Sequence, residues 1–232
     1  MNTKDILGHG LPVTLDDKAL DRFERYRVML SEGNKIMNLT AIAGDDEVSV
    51  KHFNDSLSLS LAIDLNRSLS MADMGSGAGL PGLPVKIAFP DVRLTIIDSL
   101  TKRIRFLESV TDALSLDDVT IINDRTEHAA LSLQETFDVV TARAFAPLRT
   151  LIEMGLPMVR TGGVLIAMKG PDVEAEILEA SQALKVLSAH VRTVIRHDLP
   201  LSMGQRTLVV IEKDAHVKGY PRAYARMKKQ PL

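Results

Sequence analysis

The spacing of apolar and polar residues divides the chain into a helical N-terminal part and a longer part in which strands and helices alternate. Asp16 and Asp17 are typical helix N-cap residues, and apolar side chains recur at helical spacing from Leu20 to Leu30, which predicts an amphipathic helix. A second helical pattern covers residues 48–63. The glycine and asparagines of residues 33–42 predict a loop between these two helices.

From residue 70 onward the apolar residues no longer recur only at helical spacing. Short runs of apolar or β-branched residues there predict strands. These runs cover 70–74, 92–98, 118–124, 137–144, 162–170, 191–199 and 206–214. Helical patterns cover 80–89, 101–114, 147–159 and 172–187. Strands that alternate with helices predict a parallel sheet with helices on both faces.

The last two strands break this alternation because only a short loop joins them. A parallel strand needs a longer crossover, so these two are predicted to pair as an antiparallel hairpin at one edge of the sheet. The prediction is an α/β fold with a Rossmann-like seven-stranded sheet, and the hairpin distinguishes it from the dinucleotide-binding dehydrogenases. Residues 1–66 are expected to form a helical extension packed on a core of residues 67–214, followed by a basic C-terminal tail of residues 215–232.

A glycine-rich loop, within ADMGSGAGLPG (72–82), follows the first predicted strand. Gly77, Gly79 and Gly82 fit the pattern G-x-G-x-x-G, in which glycine permits a positive φ and the start of a helix offers free N–H groups to a ligand. Asp98 ends the next strand, where a carboxylate can accept hydrogen bonds from ribose hydroxyls. The loop and Asp98 together predict a site for a ribose-bearing cofactor.

The acidic residue in front of the glycines narrows the choice of cofactor. Asp73 would repel a pyrophosphate and attract an ammonium group. This favours S-adenosylmethionine, whose methionine end carries an amine and a sulfonium, over NAD or FAD. A nicotinamide or flavin cofactor is the stronger alternative, because a glycine turn without any ligand would leave Asp98 unexplained.

The amino-acid composition mainly excludes certain kinds of site and segment. The 232-residue chain has no cysteine, which excludes disulfides, zinc–thiolate sites and a cysteine nucleophile. Its acidic N-terminus lacks the apolar core of a signal peptide, and no apolar run is long enough to span a bilayer. The six histidines are scattered without metal-ligand spacing. A cytoplasmic protein without a metal ion is therefore expected.

Charge is distributed unevenly along the chain. The net charge is -2, whereas residues 213–232 contain six Lys or Arg and one Asp. A basic tail on an acidic body indicates a polyanionic partner, and the alternative is a solvated, disordered C-terminus.

Seven motifs, distributed over nearly the whole chain, are more specific than the glycine loop alone. They are NLTAI (38–42), HFNDSL (52–57), DMGSGAGLPG (73–82), DSLTKRIRFL (98–107), ARAFAPL (142–148), YPR (220–222) and KKQPL (228–232). In this order they resemble the ribosomal RNA small subunit methyltransferase G family (RsmG, or GidB). The resemblance implies a class I S-adenosylmethionine-dependent methyltransferase fold. It also implies a bacterial cytoplasmic enzyme that methylates N7 of a guanine in 16S rRNA near the decoding site.

The resemblance also implies the residues that contact the cofactor, to which the ribose argument adds Asp98. The family's contacts correspond to Gly75, Leu80, Thr126, Glu127 and Arg143. Arg143 lies at the carboxyl end of a predicted parallel strand, where ligands bind in such sheets, and it is the candidate for orienting substrate. It could hold the methionine carboxylate, the guanine edge or a phosphate, and the alternative is an ion pair with Glu127 or Asp98.

The chemistry of guanine N7 fits this set of residues. N7 has a free lone pair and loses no proton on methylation, so proximity and orientation suffice and no general base is required. Without cysteine, the common covalent route to pyrimidine C5 methylation is absent. None of the ten prolines are adjacent, so the N/D-P-P-Y/F motif of exocyclic amine methylation is absent too.

Several basic residues have two interpretations. Lys102, Arg103 and Arg105 follow Asp98 and could contact phosphates, or they could form a solvated helix face. Lys169, at the end of the fifth strand, could contact RNA or be an ordinary surface lysine. If the basic tail contacts rRNA phosphates, truncation after Asp214 should weaken RNA binding and leave cofactor affinity unchanged.

His52 and Asp55 are three residues apart and share one helix face. A structural hydrogen-bonded pair that docks the N-terminal helices is favoured over a catalytic base. Together with Asn38, these residues could cover the cofactor pocket.

The expected partner is 16S rRNA or a small-subunit particle, with no membrane, and the protein is expected to be a monomer. Three other functions stay open from the residues alone. They are a nicotinamide-dependent oxidoreductase, a non-catalytic RNA-binding protein and a small-molecule methyltransferase.

Overall fold

The computed structural model describes residues 6–42 and 44–232, so the predictions that involve residues 1–5 and 43 lie outside it. The described residues form a seven-stranded sheet in the order β3-β2-β1-β4-β5-β7-β6. The strands are β1 (Leu69–Met74), β2 (Val92–Asp98), β3 (Val119–Asn123), β4 (Phe137–Arg143), β5 (Val159–Lys169), β6 (Ala189–Asp198) and β7 (Gln205–Lys213). Strands β1 to β5 are parallel, and β7 is antiparallel to both β5 and β6. The predicted sheet and its edge hairpin are confirmed.

Helices pack on both faces of this sheet, because successive strand residues point to opposite sides. Met71 belongs to one buried apolar cluster, and the next residue, Ala72, belongs to the other. The α-helices are α1 (Asp17–Met37), α2 (Asp45–Val48), α3 (Asp55–Leu57), α4 (Gly82–Ala88), α5 (Thr101–Ala113), α6 (Thr126–Ser132), α7 (Leu148–Gly155), α8 (Glu174–Glu179), α9 (Ser181–Val186) and α10 (Tyr224–Lys229). A π-helix (Ser49–Asn54) joins α2 to α3, and short 3-10 helices cover Ser58–Leu61, Leu156–Met158 and Pro200–Ser202.

The N-terminal helices pack on the same core as strands β1 and β2. Asp16 caps α1 by accepting a hydrogen bond from the Ala19 backbone N at 2.7 Å. The ring centroid of the fully buried Tyr26 lies 5.1 Å from that of Phe53. The Tyr26 hydroxyl donates to the Ala78 carbonyl at 2.5 Å. Helix α1 therefore supports the glycine loop directly.

Three predicted boundaries are wrong. Residues 33–37 continue α1 instead of forming a loop, because Gly33 allows close packing: a Cβ there would lie 2.9 Å from the Phe106 ring. Pro157 cannot donate to an extended helix, so the helix predicted to end at 159 ends at Gly155 and β5 already begins at Val159. The helix predicted over 172–187 is divided at Ala180 into α8 and α9, and the continuous apolar spacing does not explain that break.

The C-terminal segment after β7 is folded against the body of the molecule. The Arg222 guanidinium forms two hydrogen bonds with the Glu153 carboxylate, at 2.5 and 2.7 Å, and Glu153 is 1% exposed. Met227 of α10 is also buried. The alternative of a disordered, solvated C-terminus is wrong, because these contacts hold the segment on helix α7.

Candidate active site

The glycine loop begins where β1 ends and leads into α4. Gly75, Gly77 and Gly79 have φ values of 65°, 63° and 98°, in the left-handed region that glycine adopts without steric strain. The Gly75 backbone N donates to the Ile97 carbonyl of β2 at 2.8 Å. The loop therefore lies across the carboxyl ends of β1 and β2, where open parallel sheets bind ligands.

Asp73 lies beneath this loop and does not line the cavity in front of it. Its Oδ2 accepts hydrogen bonds from the Ser76 hydroxyl at 2.5 Å and the Gly82 backbone N at 2.8 Å. Burial raises the pKa of Asp73 to about 6, against the lowering effect of these bonds. The expectation that Asp73 faces a ligand ammonium is wrong, because the carboxylate is fully buried and its bonded oxygen holds the loop itself.

Asp98, at the end of β2, joins the loop to the next helix. Its Oδ2 accepts from the Gly77 backbone N at 3.0 Å, and its Oδ1 accepts from the Leu100 backbone N at 2.9 Å. The Arg103 guanidinium lies 3.3 Å from Oδ2. A carboxylate offers about four lone-pair directions, so Asp98 retains acceptor capacity toward the cavity that it lines.

A cavity of about 590 Å³ lies at these strand ends. It is lined by Leu39, Thr40, His52, Gly75, Ser76, Gly77, Ala78, Leu80, Asp98, Ser99, Leu100, Arg103, Asp124, Arg125, Thr126, Glu127, Arg143, Ala144, Phe145, Ala146, Met154 and Tyr224. The six predicted cofactor residues are all in this lining: Gly75, Leu80, Asp98, Thr126, Glu127 and Arg143. The loops after β1, β2, β3 and β4 bring them together.

Thr126 and Glu127 form the first turn of α6, directly after the β3 loop. Both are buried, and the Glu127 carboxylate forms an ion pair with Arg125 at 2.9 Å. The Arg125 guanidinium also lies over the Tyr224 ring, 5.3 Å from its centroid. The C-terminal helix α10 therefore contributes to the wall of the cavity at this point.

Arg143, the last residue of β4, is held by the N-terminal segment. Its guanidinium donates to the Asp55 carboxylate at 3.1 Å and to the Lys51 carbonyl at 3.0 Å. The predicted alternative partners, Glu127 and Asp98, are not the residues that pair with it: Glu127 pairs with Arg125 and Asp98 with Arg103. The Arg143 side chain is 16% exposed, so part of it remains open to the cavity.

His52 and Asp55 both contact Arg143, and each has its own partners. His52 Nε2 is 2.7 Å from the Thr40 hydroxyl, and its Nδ1 is 3.4 Å from Arg143. Burial, followed by the charge of Arg143, lowers the pKa of His52 to about 4. The predicted hydrogen bond between His52 and Asp55 is wrong, because each of these side chains instead contacts the Arg143 guanidinium. The pair still docks the N-terminal helices on the sheet, as predicted.

The π-helix places these side chains. π-Helical turns are rare and often occur at functional sites, and here the turn contains Lys51 and His52 and leads into Asp55. From the N-terminal segment, Leu39, Thr40 and His52 line the cavity, whereas Asn38 and Asp55 do not. Asn38 caps the end of α1 instead, with φ of 50°.

The other basic candidates have distinct environments. Lys169 pairs with Glu176 at 2.8 Å and with the Ala146 carbonyl at 2.9 Å, and it is 13% exposed; neither predicted interpretation describes it. Arg103 turns toward Asp98, whereas Lys102 and Arg105 are exposed on α5.

The sequence interpretation missed several cavity residues. Phe145 lies within the ARAFAPL motif and Thr40 within NLTAI, so their positions carried a signal. Tyr224 had none, because it lies between the YPR and KKQPL motifs and belongs to neither. In the described part of the chain, no group of three or more metal-ligating His, Cys, Asp or Glu side chains is found, and no helix there is long and apolar enough to cross a membrane.

The sheet order, the antiparallel β7 and the glycine loop over β1 and β2 define a class I S-adenosylmethionine-dependent methyltransferase fold. Two solved structures share it. An S-adenosylmethionine-dependent O-methyltransferase from Thermotoga maritima has a TM-score of 0.54 and 14% identity, covering 82% of this chain and 73% of that chain. TYW2 from M. jannaschii, in complex with AdoMet, has a TM-score of 0.53 and 12% identity, covering 91% of this chain and 81% of that chain.

The sequence comparisons identify the family. The family model described as rRNA small subunit methyltransferase G matches residues 19–207. The chain is 44% identical to ribosomal RNA small subunit methyltransferase G of Geobacillus kaustophilus over 223 residues, 95% of this chain and 94% of that protein. It is 40% identical to the protein of that name from Acholeplasma laidlawii over 222 residues, 96% of each. The chain belongs to the rRNA small subunit methyltransferase G family.

Proposed function

We propose that this protein methylates N7 of a guanine in 16S rRNA, near the decoding site, with S-adenosylmethionine as the methyl donor. The observation that carries the proposal is the single cavity in which the six predicted cofactor residues meet, in a chain of this family. The relatives' name specifies rRNA of the small subunit. Guanine N7 and the bacterial cytoplasm follow from the sequence resemblance.

The chemistry of the lining fits S-adenosylmethionine. Asp98 offers carboxylate oxygens to ribose hydroxyls. Gly77 has no side chain between its backbone and the cavity, and beyond its chain neighbours a Cβ there would meet only the Gly75 carbonyl oxygen, at 4.0 Å. Thr126 and Glu127 would border the adenosine, and Arg143 would pair with the carboxylate or orient the guanine. When bound, S-adenosylmethionine supplies an electrophilic methyl group on a sulfonium.

The remaining task of the protein is to position the acceptor. Guanine N7 needs no deprotonation, so the site requires no general base. His52 agrees with this, because a pKa of about 4 makes its imidazole a weak base at pH 7 and its Nε2 is engaged by Thr40. Arg143 is held by Asp55 and the Lys51 carbonyl, which provides a fixed cation beside the reacting groups at little entropic cost.

The proposal is tested with purified protein, radiolabelled S-adenosylmethionine and small ribosomal subunits from cells that lack the enzyme. We expect label in one rRNA nucleoside, identified as 7-methylguanosine after digestion and chromatography. Asp98→Ala should weaken cofactor binding by about tenfold or more in calorimetry, because hydrogen bonds to a charged acceptor contribute about 1.5–3 kcal/mol each. Leu178→Ala, an exposed position on α8, is the control.

The possible failures are distinct. Label in another nucleoside would contradict the N7 assignment alone. Tight cofactor binding without label would contradict the rRNA substrate. Binding of NAD(H) instead of S-adenosylmethionine would contradict the proposed cofactor and favour the alternative of a nicotinamide-dependent oxidoreductase.

A further inference from the structure

The distribution of aromatic side chains singles out one wall of the cavity. The chain has six Phe and three Tyr, and all nine lie in the described residues. Six are buried and Tyr220 is partly buried, whereas Phe145 and Tyr224 are 37% and 39% exposed. Both exposed aromatic side chains line the cavity.

The backbone around Phe145 is shaped to keep its ring at the cavity. Phe145 lies two residues beyond Arg143, and the intervening Ala144 has φ of 48°, a left-handed conformation that is unfavourable for alanine. The ring packs against Gly75, where a Cβ would come within 2.2 Å of a ring carbon. The glycine therefore makes room for one edge of the ring, while part of the ring stays exposed to the cavity.

Phe145 lies on the side of the cavity away from the residues expected to hold adenosine. The strand order β3-β2-β1-β4 places Thr126 after β3 and Asp98 at the end of β2, with the glycine loop over β1. Phe145 follows β4, beyond the loop, next to Arg143. Its ring packs on Gly75 and lines the cavity beside Arg143, so it lies at the opposite end of the cavity from Thr126, where space is left for a methyl acceptor.

We propose that Phe145 is the platform on which the methyl-accepting purine base stacks. This inference rests on the proposed function, since it takes the acceptor to be a base of rRNA. Proteins that recognise RNA commonly stack unpaired bases on aromatic rings, and enzymes that modify a base remove it from its stack first. An exposed ring supplies the flat apolar surface for such a base, and Arg143 supplies donors at its edge.

The test compares four variants in the rRNA methylation assay: Phe145→Ala, Phe145→Leu, Phe145→Tyr and the control Leu178→Ala. Loss of base stacking is expected to lower kcat/KM for small subunits between about 5-fold and 150-fold in the Ala variant. The Leu variant keeps apolar volume without an aromatic face and should stay low. The Tyr variant should recover most of the activity, and the control should match the wild type.

Two further measurements separate stacking from other roles. In all four variants, the affinity for S-adenosylmethionine measured by calorimetry should stay within about twofold of the wild-type value. The midpoint temperature of thermal unfolding should stay within about 2 °C of the wild-type value. Equal activity of the Leu variant and the wild type would overturn the inference. So would a loss of cofactor affinity that matches the loss of kcat/KM, because the ring would then contact the cofactor.

The failure of the proposed function has a different signature. If wild-type protein binds S-adenosylmethionine but labels no rRNA, the proposed function fails and the inference fails with it. If wild type labels rRNA and the Phe145 variants do so equally well, only the inference fails.

Discussion

At the scale of single residues, two buried ionisable groups at the site have opposite pKa shifts. Burial raises the pKa of Asp73 to about 6, from 3.8. Burial and Arg143 lower the pKa of His52 to about 4, from 6.5. Both groups are therefore driven toward their neutral forms, as expected for side chains removed from water. Their effects on stability have opposite signs over nearly the same pH range.

The signs follow from which state binds the proton first. As pH falls from 6.5 to 4, unfolded chains protonate His52 before the native state does, so native stability decreases. As pH falls from 6 to 3.8, the native state protonates Asp73 before unfolded chains do, so native stability increases. Each effect amounts to at most about 3–4 kcal/mol, and in the wild type they partly cancel.

Single substitutions should separate these two contributions. Urea unfolding of His52→Gln between pH 4 and 7 should show less loss of stability on acidification than the wild type. Asp73→Asn should show more loss, because it removes the group whose protonation stabilises the acidic native state. The exposed His9→Gln is the matched control. Parallel stability–pH curves for the wild type and both buried-site variants would contradict the assigned shifts.

At the scale of elements, the sequence predicted every strand to within three residues, because short buried runs of apolar or β-branched residues bounded by polar turns have few other structures available. It failed where a glycine serves packing instead of a turn. Gly33 lies inside α1, close to Phe106 of α5 and Leu39. The sequence offers no sign of that contact, since it depends on how two distant helices cross.

The same distinction applies to the candidate site. Asp98 could be placed at the cavity from its position at a strand end, where such sheets bind ligands, whereas Gly75 and Arg143 were predicted from the family resemblance; all three line the cavity. The Asp55 partner of Arg143 was not predictable, because it depends on how the N-terminal helices dock. The π-helix at Ser49–Asn54 also left no signal, since its apolar spacing was indistinguishable from that of an α-helix.

Gly33 provides a test of the packing explanation. Alanine in place of glycine favours an exposed helix by about 1 kcal/mol, but overpacking usually destabilises a core by about 1–3 kcal/mol. We expect Gly33→Ala to lower the free energy of unfolding by about 1 kcal/mol in urea titrations. In a Phe106→Leu background, the same change should become neutral or stabilising. A stabilising effect of Gly33→Ala alone would show that the helices separate without penalty.

At the scale of the whole molecule, the C-terminal segment carries basic side chains and also reaches the cavity. The buried Glu153–Arg222 pair fixes its first half on α7. Helix α10 then places Tyr224 in the cavity lining and presents Arg226, Lys228 and Lys229, which are exposed. The expectation that truncation after Asp214 leaves cofactor affinity unchanged must therefore be revised.

We expect that truncation to weaken binding of both cofactor and RNA, and two milder variants to separate the causes. Tyr224→Ala keeps the tail charges and removes part of the cavity wall. Calorimetry should therefore show that the affinity for S-adenosylmethionine falls by about 5-fold or more. The triple variant R226Q/K228Q/K229Q keeps Tyr224, so its cofactor affinity should equal that of the wild type. Its affinity for small subunits should fall. The plot of log K for small subunits against log salt concentration should become less steep by up to about 2, because fewer counterions are released.

If truncation and Tyr224→Ala both leave cofactor affinity at the wild-type value, the original expectation stands and the tail serves RNA alone. An unchanged salt slope in the triple variant would place the phosphate contacts elsewhere, with exposed Lys102 and Arg105 of α5 the next residues to substitute.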